Sequence, residues 1–261
     1  MTSRSRADIR SARRLVVKVG SSSISGENSG NIALLVDALA DVYARNTEVV
    51  LVSSGAIATG MPFLRLDERP NDLATQQAAA AVGQNILVFR YQNSFDRYKI
   101  VAGQVLLTAG DLENPKSRTN AQQAMERLLG LRILPIVNEN DTVATHEIRF
   151  GDNDRLASLV AELVGADCLI LLSDVDALYT APPGTPGATP IASVPYGDEL
   201  DGVTIGSVGT GIGTGGALTK VAAARHAAQV GTGVLLTSTS NVGRAIDGDQ
   251  VGTWFEPRPL N

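Results

Sequence analysis

Apolar and polar positions come in two alternating rhythms along this chain. Runs rich in Val, Ile and Leu recur at residues 15–19, 49–52, 101–107, 133–137, 168–172 and 234–237, the length and composition of buried strands. Between them the spacing changes. Ile32, Leu35, Val36, Leu39, Val42 and Tyr43 repeat every three or four residues and predict an amphipathic helix. Pro70 with Asn71 or Asp72 predicts a second helix start, followed by an alanine-rich run at 78–81 whose small side chains suit a buried helix. Strands separated by helices must be joined by crossovers, so the pattern predicts an α/β fold with a mostly parallel sheet. In such sheets ligands gather at the carboxyl ends of the strands, which directs attention to the residues just after each apolar run.

Composition narrows the class. The chain has 261 residues, enough to bury roughly 70–75% of its unfolded surface without disulfides or a structural metal. Its single cysteine, Cys168, and two histidines exclude a Cys/His zinc cluster and fit a reducing cytoplasm. No apolar run approaches the roughly 20 residues of a membrane span. Five arginines and one acid fall within residues 1–14, predicting a basic, flexible tail over 1–12, while the rest of the chain is acidic and unsuited to nucleic acid. The segment 179–195 holds five prolines and reads as an exposed loop bordering a site. No linker-like stretch divides the chain, which favours two lobes sharing one continuous sheet.

Five strand ends carry unusual residues. Lys18 sits inside the first apolar run, with Gly20 at its end; either it lies on an edge strand and reaches solvent, or it is a cation aimed at an anion. Ser54 and Gly55 follow the second run, where a tight turn and a close backbone approach to a ligand call for the same letters. Asn138–Asp141, and then Gly151–Asp154, form the densest polar cluster, with amides and carboxylates suited to a zwitterionic amino acid; helix capping and a solvated loop would account for each half alone. Ser173 and Asp174 follow the fifth strand at a place for a nucleoside. Gly209–Lys220 precedes a helix and can turn backbone amides toward phosphate, with Lys220 adding charge. That loop is neither a dinucleotide fingerprint, lacking the preceding strand and the later acid, nor a Walker loop, since Val221 follows the lysine. No Gly-x-Ser-x-Gly elbow supports hydrolysis.

Taken in order and spacing, VVKVGSSS, VSSGAIATG, AAAAVGQ, PIVNENDTV, FGDND, LLSDVDALYT and GTGGALTK resemble the glutamate 5-kinases of the amino-acid kinase family over residues 13–256. The resemblance implies a sheet sandwiched by helices, a glutamate-binding lobe at 13–166 and a nucleotide-binding lobe at 167–256. It implies transfer of the terminal phosphoryl of ATP, with Mg2+, to the side-chain carboxylate of L-glutamate, the first step of proline biosynthesis. Lys18 and Lys220 would flank the moving phosphoryl group and Asp154 would hold both. Gly20 and Gly55 would present amides to it, and Ser54, Asp141 and Asn153 would bind glutamate. Lys18, Ser173, Asp174, Thr214, Gly215, Gly216, Ala217, Leu218, Thr219 and Lys220 would bind ATP. Ser173 stands where the family usually has threonine, and Ala217 where it has methionine. Many relatives continue into a C-terminal PUA domain, and this chain is expected to be a short form without one. Proline as a feedback inhibitor, a glutamyl-phosphate reductase as partner and a homo-oligomer are further expectations. The alternatives are a kinase of the same fold acting on acetylglutamate, aspartate or a nucleotide, and a non-catalytic amino-acid sensor.

Overall fold

The computed structural model describes residues 5–144, 153–201, 203 and 216–259, apart from the Glu27 side chain. In chain order the regular elements are β1 (Arg14–Val19), α1 (Asn31–Ala44), β2 (Glu48–Val52), α2 (Ala56–Gly60), α3 (Leu73–Asp96), β3 (Ala102–Leu107), α4 (Ala109–Glu113), α5 (Pro115–Gly130) and β4 (Leu134–Glu139). They continue with α6 (Asn153–Leu163), β5 (Cys168–Ser173), β6 (Ser193–Val194), α7 (Ala217–Gln229), β7 (Gly233–Ser238), α8 (Val242–Ile246) and β8 (Thr253–Phe255). All strands join one sheet in the order β3-β4-β2-β1-β5-β7-β8-β6.

Six of these strands coincide, within a residue or two at each end, with the six apolar runs. From β3 through β7 every neighbouring pair is parallel, so six strand ends open on the same rim. The chain runs from β1 outward to β2, β4 and β3, then returns to place β5 on the other side of β1. That reversal makes the carboxyl end of β1 the switch point where such sheets open a crevice.

Alternation along the strands builds two cores. Leu15, Val17 and Val19 face one layer with α1, the buried side of α3 and α8, while Val16 faces the other with α5, α6 and α7. Lys18 shares the parity of Val16 and therefore points toward α6 and α7. Asp72 caps α3 by accepting from the Thr75 amide at 2.8 Å, as its place after Pro70 predicts. α2 lies almost on α3: a side chain at Gly83 would meet the Ala56 carbonyl oxygen at 1.8 Å, so only glycine permits this crossing.

Four expectations need correction. Residues 5–12 are not a loose tail, because Arg6–Ser11 forms a 3-10 helix with Ile9 buried and the Arg6 guanidinium bonded to the Ala192 carbonyl and to Gln250. The sheet has two more strands, β6 and β8, and β8 runs antiparallel to β7. The alanine-rich helix is buried on one face only: Ala79, Ala80, Gln84, Leu87, Tyr91 and Phe95 turn inward, whereas Val82 and Phe89 are exposed. The proline-rich loop 179–195 is largely exposed, yet it is tied back by a bridge between Tyr179 and Pro190 and ends in β6.

Candidate active site

β1 is central, which removes the possibility of an edge-strand lysine. Lys18 is 2% exposed, and a buried ammonium requires an anion. Its Nζ pairs with Oδ1 of Asp154, the second residue of α6, which is completely buried. Oδ2 of the same carboxylate accepts from Lys220 Nζ at 3.1 Å and from Thr219 Oγ1 at 3.3 Å, both on the first turn of α7. Two lysines separated by about two hundred positions in sequence thus converge on one aspartate. At an effective dielectric near 20, two like charges about 4 Å apart repel by roughly 4 kcal/mol, and the shared carboxylate is what keeps the ammonium groups together. The first turns of α6 and α7 both face this point, adding the partial positive charge of helix amino ends.

Gly20 lies beside the pair. A Cβ built there would sit 3.9 Å from Ser22 Oγ and 4.0 Å from both Lys18 Nζ and the Leu172 carbonyl oxygen, so among the described residues the glycine leaves room for a methyl group next to the ammonium. Gly55, at φ +91°, packs against the Ser21–Ser25 turn; a Cβ would meet Ser25 Oγ at 2.9 Å. The turns after β1 and β2 are therefore in contact at the rim.

On the β2–β4 side the site is built largely from amides, with the carboxylates of Glu139 and Asp141 at the end of β4 and just after it. Asn153, the first residue of α6, donates through Nδ2 to the Ser53 carbonyl and, at 2.7 Å, to Asn138 Oδ1. Asn138 Nδ2 donates to Gln84 Oε1 at 2.7 Å. Ser53 Oγ is 3.1 Å from the hydroxyl of Tyr91, whose phenol burial pushes above its ordinary pKa, with the Ser53 bond opposing in part. Ser54 and Asp141 follow β2 and β4, adjacent in the sheet, and occupy the same rim, both half-buried.

On the β5 side, Ser173 Oγ donates to Asp174 Oδ1 at 2.9 Å, the serine buried and the aspartate exposed. At the start of α7, Gly216 and Ala217 are half-buried and Leu218 is exposed. Thr214, Gly215 and the first part of the glycine-rich loop lie outside the described residues, as does Asp152.

The structure thus unites Lys18, Asp154, Lys220, Thr219 and Gly20, and sets Asn153 against the strand end that carries Ser54. Sequence reasoning gave no role to Ser53, Gln84 or Tyr91. Gln84 had a visible signal, being the one polar side chain on an otherwise apolar helical row with Ala80, Leu87 and Tyr91.

Residues 13–238 match the amino acid kinase family. A glutamate 5-kinase from Clavibacter michiganensis subsp. michiganensis is 77% identical over 258 residues, covering 99% of this chain and 100% of the relative. The chain belongs to the glutamate 5-kinases of the amino acid kinase family. A second relative of that name, from Leifsonia xyli subsp. xyli, is 72% identical and covers 98% of this chain and 96% of its own. A third, from Salinispora arenicola, is 55% identical, and the match spans 69% of its length. The fold recurs in distant kinases: a carbamate kinase from Giardia lamblia bound to AMP-PNP superimposes with a TM-score of 0.70 at 16% identity, covering 95% of this chain and 99% of that one. A UMP kinase from Bacillus anthracis gives 0.64 at 14%, over 95% and 97% of the two chains. Among the described residues no helix is long and apolar enough to cross a membrane.

Proposed function

We propose that this kinase transfers the γ-phosphoryl group of ATP to the side-chain carboxylate of L-glutamate, giving L-glutamyl 5-phosphate, with Lys18 and Lys220 as the catalytic cations. The observation that carries the reading is the pair of buried lysines drawn together on Asp154 at the switch point, next to an amide-lined wall. A γ-carboxyl group with an ordinary pKa of about 4.3 is already ionised at neutral pH, so the nucleophile needs no general base. One carboxylate oxygen forms a bond to phosphorus, the bond from phosphorus to the β,γ-bridging oxygen breaks with its electrons going to ADP, and no proton moves.

The obstacle is the meeting of two anions. Lys18 and Lys220 offset that repulsion and stabilise charge on the phosphoryl oxygens as the bonds exchange, in a site already arranged before the reactants arrive. Asp154 positions both lysines. Gly20 and Gly55 supply backbone approach to the phosphoryl group; Ser54, Asp141 and Asn153 bind glutamate; Ser173, Asp174 and the 214–220 segment bind the nucleotide. The division into a glutamate lobe at 13–166 and a nucleotide lobe at 167–256 follows from this assignment. Among the described residues no three His, Cys, Asp or Glu side chains cluster as a metal cage, and Asp154 is committed to lysines. Magnesium therefore fits as a passenger on the ATP phosphates, part of the substrate.

Feedback inhibition by proline, hand-over of the labile product to a glutamyl-phosphate reductase, a cytoplasmic location and a homo-oligomer belong to the same reading. The last has support in α3, whose first charged residue is Arg90 and whose exposed side offers Val82 and Phe89. The test is glutamate-dependent ADP release with hydroxylamine trapping of the acyl phosphate. A positive signal with glutamate, and none with acetylglutamate, aspartate or UMP, supports the reading. Folded protein that is silent with glutamate and Mg-ATP contradicts it.

A further inference from the structure

The orientation of a side-chain amide is fixed wherever it meets a group with only one role. The Ser53 carbonyl can only accept, so Asn153 must present Nδ2 to it. The Glu139 backbone N–H can only donate, and at 2.9 Å it requires Asn138 to present Oδ1, the atom that also accepts from Asn153. Asn138 is then obliged to turn Nδ2 toward Gln84, which answers with Oε1. Gln84 Nε2 ends the chain as a buried donor with no hydrogen-bond partner among the described residues, so Gln84 serves the chain through its oxygen alone. Both N–H groups of Asn153 are used inward, which leaves Oδ1 as what this amide offers a ligand, and an oxygen there selects a donor.

We propose that Asn138 and Gln84 are positioning residues for the amino-acid acceptor, holding the Asn153 amide so that its oxygen meets the acceptor's α-ammonium group. This rests on the reading of Asn153 as an acceptor-binding residue. Neither positioning residue touches the acceptor: Asn138 is 2% and Gln84 8% exposed, and both act through Asn153. The arrangement makes the ammonium a selection criterion, distinct from the carboxylate that is phosphorylated.

The test compares L-glutamate with glutarate, which keeps both carboxylates and lacks the ammonium. Gln84→Met removes the acceptor for Asn138 at similar volume, and Asn138→Ala removes the second anchor of Asn153. Each is expected to raise the KM for glutamate about tenfold, the worth of one hydrogen bond to a charged group, with kcat and the KM for ATP within about twofold. The Ki of glutarate against glutamate should stay within about twofold. Gln84→Glu, which burial keeps neutral and which retains an acceptor oxygen, should restore the glutamate KM to within about twofold. The proposal is overturned if Gln84→Met leaves the glutamate KM unchanged, weakens glutarate as much as glutamate, or is matched by Gln84→Glu. Should Gln84→Met fail to fold, Asn138→Ala and Gln84→Glu decide the question between them. Asn153→Ala separates the two readings: an unchanged glutamate KM there contradicts the acceptor site itself, whereas a raised one beside an unaffected Gln84→Met contradicts only the positioning chain.

Discussion

Arg14 and Lys18 stand at opposite ends of β1, point to the same face and are both buried, yet they are satisfied in opposite ways. Arg14 faces two carboxylates, Glu48 at 2.7 Å and Glu126 at 2.6 Å, and the Val164 carbonyl just past the end of α6. Burial alone would lower its pKa, and the bonds to Glu126 and Glu48 outweigh that and raise it. Lys18 pairs with Asp154, at the start of the same helix, a carboxylate that a second lysine also contacts. Arg14 is a cation with acids to spare, as suits a fixed structural contact. Lys18 belongs to a cluster in which two lysines meet on one shared carboxylate, as suits a site that must receive a polyanion. One strand and one helix thus carry a stabilising pair at one end and a reactive one about 13 Å away at the other.

Four substitutions probe that contrast, in decreasing order of expected effect. Asp154→Ala leaves two buried ammonium groups facing each other; kcat should fall at least a thousandfold, and urea unfolding should report a loss of about 3–5 kcal/mol. Lys220→Ala should reduce kcat by roughly 10²–10³ while the glutamate KM changes little, because its charge acts on the transition state; initial rates across glutamate concentrations separate the two. Arg14→Met should cost about 1–3 kcal/mol in the same unfolding experiment and leave kcat unchanged, its two acids being partly exposed and able to turn to water. Gly20→Ala should leave Tm unchanged, since φ is −76° and, among the described residues beyond its chain neighbours, no atom lies closer than 3.9 Å to the new methyl group. It should lower kcat/KM about tenfold by filling the space beside Lys18 Nζ. A Gly20→Ala protein with normal turnover would remove that space from the phosphoryl path.

Much of this was legible in the chain because local rules suffice for it. Six strands announce themselves as apolar runs, and α1 by its spacing. β6 and β8 escaped because two or three residues show no period; their pairing with each other and with β7 is what makes them strands. The order around residues 6–11 escaped for a similar reason, since one buried apolar side chain, Ile9, among arginines has no pattern. Lys18 could be read two ways until strand order placed β1 in the middle of the sheet, and strand order is a long-range property. Asn153 and Ser54 stood out as polar residues at strand and helix ends. Gln84 showed only as a polar break in an apolar row, and its role stayed hidden because it depends on Asn138 lying across the interface from α3.

The central claim is that the positive charge at the end of β1 serves the reaction and not the fold. Lys18→Met, nearly equal in volume and without charge, tests it in one protein by pairing hydroxylamine-trapped glutamyl phosphate formation with urea unfolding. The account predicts a fall in kcat of at least a hundredfold with stability within about 1 kcal/mol of the parent, Asp154 keeping Lys220 as its partner. Retained turnover, or a loss of several kcal/mol in stability, would contradict it.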